Sequence, residues 1–566
     1  MATERQTSRW LEIEVWLLVL LVAVTYFSRL TTLSLRGEES RRARVAVEML
    51  ETGDWIVPRQ QGVPWLSRPP LHNWLIALAA RATGDVNAMA IRLPSVLATL
   101  LTTLLIYGYA RSFLPPLGAF AAGASFATMG LILELGRLGE TEALFTLLLS
   151  AALLLWHYGY QRGWPPALTW VVGYGLAALA ALAKAPQVPV YFTGSVAVFL
   201  ILRRDWRWLI SRAHVGGMLA FAVIFGAWQI PFSLQLGWEG VREIWFGEVL
   251  LRFVGHTVAT VVAHLVTYPF EIFIAILPWS LLLSCFFFRG FREQLGEARS
   301  PVEFLTICIL IAFPTIWLPP GSRGRYFMPL YPCIAVLIGL VVQRCYESRG
   351  GSPWRRVWEW YLRSLAGVMV AAGLVVLSVS LLTSPNEFVW AQPPLFALAY
   401  TLLAGGAAAG LLWARRGDGK PLRWHVAILA VAAFMGLTFA GVVTNRRVHT
   451  SVDTEGAVAH LKRELPQRHR LVSLGQVHHL FAYYYREPIA LVAWPGDSSP
   501  LEAEQTYFCF DRFDGTDVPI PFPWERVATI SVARSRTLQF QREVVIGRRL
   551  PAQPGVSPPL GGVPAR

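Results

Sequence analysis

The sequence predicts an all-α polytopic membrane protein with about thirteen spans and a small α/β domain at the C-terminal end. Three observations lead there. Of the 566 residues, 54% are hydrophobic and only 15% are charged, against about 25% charged in an average soluble domain. Apolar runs long enough to span recur from residue 15 to residue 443. Beyond residue 444 they stop, and short strand-like and helix-like segments alternate.

A span needs about 20 mostly apolar residues. The runs fall at 15–35, 89–110, 117–135, 143–160, 168–182, 188–202, 215–236, 268–288, 304–318, 326–342, 365–382, 395–414 and 426–443. The first has no cleavable-signal pattern around it and is expected to stay in the membrane. The run 71–80 is too short to cross and reads as an interfacial helix. The 23 Trp and 31 Phe, with a mean hydropathy of +0.45, exceed what a soluble fold of this size can hide. The net charge is +14, but the basic residues are scattered between apolar runs, which argues against nucleic acid. The five cysteines show neither a disulfide framework nor metal-type spacing.

Arginines set the expected orientation. The short loops after even-numbered spans hold Arg111, Arg162, the cluster Arg203 to Arg212, Arg289 to Arg299, Arg344 to Arg363 and Arg415 to Arg423. Positive loops stay in the cytoplasm, so the N-terminus is expected inside and the tail outside. The first long loop, 36–88, would then lie outside although it carries seven arginines from Arg36 to Arg81. That exception implies that these charges have work there.

The expected outer loops collect ionisable residues. Glu38 and Glu39 sit among Arg36, Arg41 and Arg42, at the head of an amphipathic helix over 39–51 expected at the interface. Arg68 stands before a proline pair, which holds the chain extended. Arg137 and Glu142 lie between spans three and four, and Lys184 ends span five. Glu248 and His256 lie in the loop after span seven, and Arg323, Arg325 and Tyr326 between spans nine and ten. Taken singly, each has a bland reading: a solvated helix start or a snorkelling cation. Together they put carboxylates and cations near membrane depth, where ionisable groups are expensive and mark function. Cations can hold an anionic lipid-phosphate leaving group, and a carboxylate can take a proton from an attacking hydroxyl. No P-loop or dinucleotide fingerprint is present.

These strings, in order and spacing, resemble the GT-C membrane glycosyltransferases that use polyprenyl-phosphate sugars, above all the aminoarabinose lipid A transferase and protein O-mannosyltransferase group. The matching stretches are Glu38-Glu39-Ser40-Arg41-Arg42, Gly53-Asp54-Trp55, Ser67-Arg68-Pro69-Pro70-Leu71, Ile91-Arg92-Leu93-Pro94-Ser95, Thr141-Glu142, Ala183-Lys184-Ala185-Pro186, Leu277-Pro278-Trp279 and Arg325-Tyr326-Phe327-Met328-Pro329, within about residues 10–345. The resemblance implies transfer, with inversion, of a sugar from a polyprenyl-phosphate donor to a lipid, glycan or protein acceptor at the outer face of a cell inner membrane, as in lipid A modification of the envelope. It implies Glu38 as base, helped by Glu39 or Glu142. Arg41, Arg68 and Lys184 would bind the donor phosphate, and Arg323 or Arg325 would close over it. Arg137, Glu248, His256 and Tyr326 are further candidates around donor and acceptor. The pattern names no cofactor and leaves room for a divalent cation, with no metal-ligand set. Four positions depart from the family: Glu38 replaces its usual aspartate, Arg68 its lysine, Glu142 its outer-loop aspartate, and Arg42 its aromatic residue.

Two rivals stand beside the transferase: a flippase or transporter for lipid-linked sugars, and a non-catalytic paralogue. Internal repeats and broken mid-membrane helices would favour a transporter; the sequence shows no repeat. In the tail, the expected elements are a helix at 456–463, strands at 471–474 and 489–494 around a helix at 477–486, and further strands at 507–510 and 527–532. His478 and His479 are expected on a surface helix, and the last dozen residues to be disordered. The expected domains are 1–444 and 445–566.

Overall fold

The computed structural model describes residues 13–184, 186–348, 351–384, 386–415, 420–466, 470–494, 506–513, 520–534 and 541–550. They divide into two compact units, 1–33 with 66–449 and 34–65 with 450–566. The second grouping adds residues 34–65 to the tail expected to stand alone from residue 445. Residues 34–65 fold with the tail because their buried polar groups find partners there: Ser40 bonds His479 and Gln61 bonds Ser473. The expected disorder of the last dozen residues lies outside the described residues.

Among the described residues, ten helices are long and apolar enough to cross a membrane. Three shorter apolar helices, Ile13–Phe27, Pro116–Ala127 and Val190–Leu202, occupy three more of the expected runs. Outward faces remain apolar, as lipid requires: Leu234, Val258 and Leu382 are all highly exposed. Inside, small residues bring helices close. A Cβ on Gly339 would collide with the Gly118 carbonyl oxygen, and one on Gly118 would lie 2.9 Å from Gln343. The Gln343 side chain in turn accepts the Gly118 N–H at 2.9 Å. Buried polar groups are paired likewise: Glu14 bonds His425 at 2.7 Å and Tyr107 at 2.8 Å.

Some spans differ from the expected runs. The eighth lies earlier, at Val258–Ala275, because Pro278 lacks the N–H an α-helix needs; a 3₁₀ stretch, Trp279–Phe287, follows. The loop expected around Glu248 is helical instead, part of a continuous helical run, Arg212–Phe253, that is redirected at Gly237, where φ is +66°. Two side chains of the 88–110 helix tie neighbouring segments. Buried Arg92 donates to the carbonyls of Leu30 and Leu33 at 2.6 and 2.9 Å, and Ser95 donates to the Glu140 carbonyl at 3.3 Å.

The second unit holds helix Glu39–Thr52 and a short hairpin, β1 (Arg59–Gln60) with β2 (Val63–Pro64). Its five-stranded sheet has the order β4-β3-β5-β7-β6, from β3 (Val472–Leu474), β4 (Ala490–Val492), β5 (Tyr507–Phe513), β6 (Trp524–Arg534) and β7 (Gln541–Arg549). β3 runs parallel to β4 and β5, and the other pairs are antiparallel. Alternation along β5 divides the core: Tyr507 and Cys509 pack with Phe481 and Leu461, while Phe508 and Phe510 pack with Leu474 and Phe522. Helices Thr454–Glu464 and His479–Tyr485 complete the unit. His478 and His479 are buried, not on the surface as expected, because the helix meets both the sheet core and the 39–52 helix. Helix 39–52 carries Glu39, Ser40, Arg42, Arg44 and Glu48 on its buried side, so that face meets protein rather than lipid.

Candidate active site

Three elements of the membrane unit bring charges together. Glu142 stands in the first turn of Thr141–Arg162, Lys184 caps the C-terminus of Pro166–Ala183, and Arg325 sits in the 3₁₀ turn Gly324–Leu330. Lys184 Nζ is 2.8 Å from Glu142 Oε1. Arg325 reaches Glu140 at 2.7 Å and Glu142 at 3.5 Å. Lys184 and both acids are buried. Charges so enclosed persist only when paired, and here each has a partner.

The turn carrying Arg325 is itself held. Glu271 accepts the Gly324 N–H at 2.9 Å, and the Tyr268 hydroxyl donates to the Arg323 carbonyl at 3.3 Å. A Cβ on Gly324 would lie 2.6 Å from the Glu271 carboxylate, so the close approach needs glycine.

Beside this cluster lies a cleft lined by Arg68, Lys184, Tyr191, Glu248, Arg252 and Tyr326, among others. Arg252 stacks over the Tyr326 ring at 4.4 Å, and Lys184 lies 5.2 Å from it. Arg68 meets Glu248 at 3.4 Å, and Ser67 donates to the same carboxylate at 2.6 Å. Glu248 is 38% exposed, so this pair can open at a modest cost, unlike that of Lys184. The cleft lining holds three cations, Arg68, Lys184 and Arg252, and one carboxylate, Glu248. The balance favours an anion.

The remaining candidates separate. Arg137 is spent on packing: it is buried, donates to the Ser28 carbonyl at 2.8 Å and lies over the Phe439 ring. His256 and Arg323 are exposed and do not line the cleft. Glu38, Glu39 and Arg41 belong to the loop–tail unit. There Glu39 is fully buried and accepts the Arg36 N–H at 3.0 Å, which leaves it ill placed to help a base. Glu38 caps the 39–52 helix, 3.4 Å from Arg41, with its side chain 38% exposed. Arg41 and Arg42 lie over the Trp65 ring at 5.6 and 4.4 Å, Arg44 pairs with Glu48, and Arg59 with Asp54. Arg41, Arg42, Arg44 and Arg59 of the first long loop thus have local partners. Of the three candidate carboxylates, Glu38 is the exposed one; Glu142 is held between two cations.

Glu140, Arg252 and Glu271 were missed in the sequence. A signal existed for Glu271, the one acid in the apolar helix Val258–Ala275. Among the described residues, no cluster of three or more His, Cys, Asp or Glu could hold a metal ion.

A family described as dolichyl-phosphate-mannose-protein mannosyltransferase matches residues 67–229. The undecaprenyl phosphate-α-4-amino-4-deoxy-L-arabinose arabinosyl transferase 2 of Pseudomonas fluorescens is 25% identical over 485 residues, covering 81% of this chain and 77% of that protein. The corresponding arabinosyl transferase of Pseudomonas aeruginosa is 26% identical over 477 residues, 81% of each chain. The fold is that of ArnT from Cupriavidus metallidurans, whose crystal structure bound to undecaprenyl phosphate has a TM-score of 0.67 at 19% identity, covering 94% of this chain and 97% of that one.

Proposed function

We propose that this chain, a multi-pass membrane glycosyltransferase of the GT-C type, takes its sugar from a polyprenyl-phosphate donor and passes it, with inversion, to a lipid acceptor such as lipid A. The observation that carries the reading is the cationic cleft of Arg68, Lys184 and Arg252 beside the buried Lys184–Glu142–Arg325 cluster. Phosphate is the leaving group, and Arg68 and Arg252 are the cations that receive its charge as the bond from sugar C1 to phosphate oxygen breaks. Lys184, already committed to Glu142, sets the positive field rather than acting as a free ligand. Glu38 is the proposed base for the attacking hydroxyl, on its motif position and its exposure. One displacement at C1 inverts the anomeric centre.

The proposed location is a bacterial inner membrane with residues after 450 outside, from the arginine-rich even loops. The five native cysteines are buried, so a single thiol introduced at exposed Ala459 should be labelled by an impermeant reagent in intact spheroplasts. Labelling only after lysis would reverse the orientation.

The decisive experiment offers purified protein labelled polyprenyl-phosphate sugars, beginning with the undecaprenyl-phosphate aminoarabinose named for its relatives, together with lipid A in proteoliposomes. Labelled lipid A is the expected product. Movement of intact donor across the bilayer with no new glycosidic bond would make the chain a transporter and overturn the reading.

A further inference from the structure

The helix that begins just after Glu38 is suspended from the C-terminal domain. Two buried attachments make the joint, both inside the loop–tail unit. At the head of helix 39–52, Ser40 Oγ lies 2.7 Å from His479 Nδ1, with Ser40 1% and His479 5% exposed. Beyond its other end, the Gln61 side chain donates to Ser473 Oγ at 3.0 Å and accepts the Val477 N–H at 3.1 Å. Gln61 holds a left-handed backbone, φ +52°, which a residue with a Cβ adopts at some cost. Glu48, on the same helix, accepts the N–H groups of Gln61 and Gly62 at 2.5 and 3.1 Å. The strained turn is therefore clamped to the helix on one side and to the tail on the other.

Ser40 lies two residues from Glu38 and one from Glu39. A rotation of this helix about its axis would swing Glu38 and break the Ser40–His479 bond together. The imidazoles suit a fixed joint. Burial first, then the Arg41 and Arg542 cations, pushes His478 down to about 3, and the same causes with His478 itself push His479 well below its ordinary range. Both stay neutral near pH 7, so the joint adds no buried charge.

We propose that the C-terminal domain is the positioning element for the loop bearing Glu38, and that His479, through Ser40, is the positioning residue that sets the orientation of the 39–52 helix for transfer. This rests on the assignment of Glu38 as the base. His479 is not a catalytic residue here; it acts only through the helix it holds.

The test compares His479→Phe, which keeps a planar ring and loses the bond, with His479→Asn, whose amide places a polar atom where Nδ1 stood. His479→Phe should lower kcat about tenfold or more with the donor KM within twofold, and His479→Asn should recover most of that loss. Ser40→Ala should cost kcat similarly, and Ser40→Ala with His479→Phe should cost no more than either alone, since both remove one bond. Amide hydrogen exchange over 39–52 should rise at least tenfold in His479→Phe and return in His479→Asn. A wild-type kcat and unchanged exchange in His479→Phe would overturn the proposal. So would additive losses, or a failure of His479→Asn to recover. The underlying reading fails separately. If Glu38→Gln transfers normally, the base is elsewhere, while exchange over 39–52 still reports whether His479 holds the helix.

Discussion

The membrane unit and the loop–tail unit each tie distant segments together with polar bonds, but with opposite chemistry. In the membrane unit the ties are ionic and enclosed: Lys184 with Glu142, and Arg325 with Glu140. In the loop–tail unit the ties that fasten helix 39–52 and its following turn to the tail are neutral, Ser40 with His479 and Gln61 with Ser473, while its most exposed ion pairs lie toward solvent, such as Arg548 with Glu525 at 45% and 47% exposure. An ionic tie in a low-dielectric interior must be complete, because a lone charge there has no water to fall back on. A neutral tie can be lost at the cost of one hydrogen bond. The buried charges of the membrane unit are thus costly to keep, and they mark the place where charge is put to use. The neutral joints of the other unit fix geometry.

The comparison can be broken most severely at Glu38. Glu38→Gln should fold and insert but lose roughly 10²–10⁴ in transfer rate, measured as kcat on saturating donor. Glu38→Asp, which restores the residue usual in the resembling family, should be partly active. Full activity in Glu38→Gln would move the base elsewhere and leave the loop–tail unit with geometry alone.

Next in size is Lys184. Lys184→Met leaves the buried Glu142 carboxylate only Arg325, 3.5 Å away, and should cost up to about 3–5 kcal/mol, read as a fall in thermal midpoint of the detergent-solubilised protein. Lys184→Met with Glu142→Leu should recover that stability, since a well-packed apolar pair often replaces a buried ion pair without loss. If the double variant also transfers normally, the buried cluster serves packing and not the donor.

Arg68 should behave differently. Its partner Glu248 is partly exposed, so Arg68→Ala should leave the fold intact and weaken donor use by about tenfold or more, as expected from losing a charge-assisted bond of about 1.5–3 kcal/mol. The change belongs in the donor KM. An unchanged donor dependence would misplace the phosphate site.

Acid should loosen the loop–tail unit. His478 is held near 3 and His479 well below its ordinary value, both under their unfolded values. The unfolded chain therefore binds more protons below about pH 6.5, and the stability these imidazoles lend is complete above that pH and lost as pH falls toward 3, at up to about 1.4 kcal/mol per pH unit for each. Asp511, whose burial raises its carboxyl, works the other way near pH 4 and offsets a part. Protease nicking within 450–550 should accordingly rise between pH 6.5 and 4 in wild type. It should rise less in a His478→Asn/His479→Asn variant.

The smallest effect is expected at Arg548→Ala, which breaks a solvent-exposed pair worth about 0.2–1 kcal/mol. A larger loss in denaturant midpoint would mean that this edge of the sheet is less wet than its exposure shows.

Much of the membrane unit was legible because apolar run length is a one-dimensional property. Thirteen expected runs meet ten long helices and three shorter ones, and the main displacement, at Val258–Ala275, followed a proline whose consequence was in plain sight. The sheet was half legible. β5 and β6 were expected in shorter form, but β7 was not, since Val544-Val545-Ile546 is a three-residue apolar run between charged flanks. Only its place inside the sheet, paired with β5 on one side and β6 on the other, explains that pattern.

The candidate site divides in the same way. Spacing and charge type pointed to Arg68, Glu142, Lys184, Glu248, Arg325 and Tyr326, which the fold gathers at one cleft and its adjoining cluster. They also pointed to Arg137, His256 and Arg323, which it does not. A charged residue near a span end looks the same in the sequence whether it faces a cleft, the surrounding medium or a helix carbonyl. Arg137, wedged against the Ser28 carbonyl, is an example.

The sequence by itself determined what surroundings each segment needs: apolar stretches for lipid, arginine-rich short loops between them for water and head groups, and an alternating tail that folds on its own sheet. Those are sums over neighbouring residues. Only the tertiary structure decided which charge meets which, that Lys184 is committed to Glu142 while Arg68 keeps a partner it can release, and that residues 34–65 fold with a tail some four hundred positions away. Pairing energies depend on separations of a few ångströms and on local burial, and neither is a property of position along the chain.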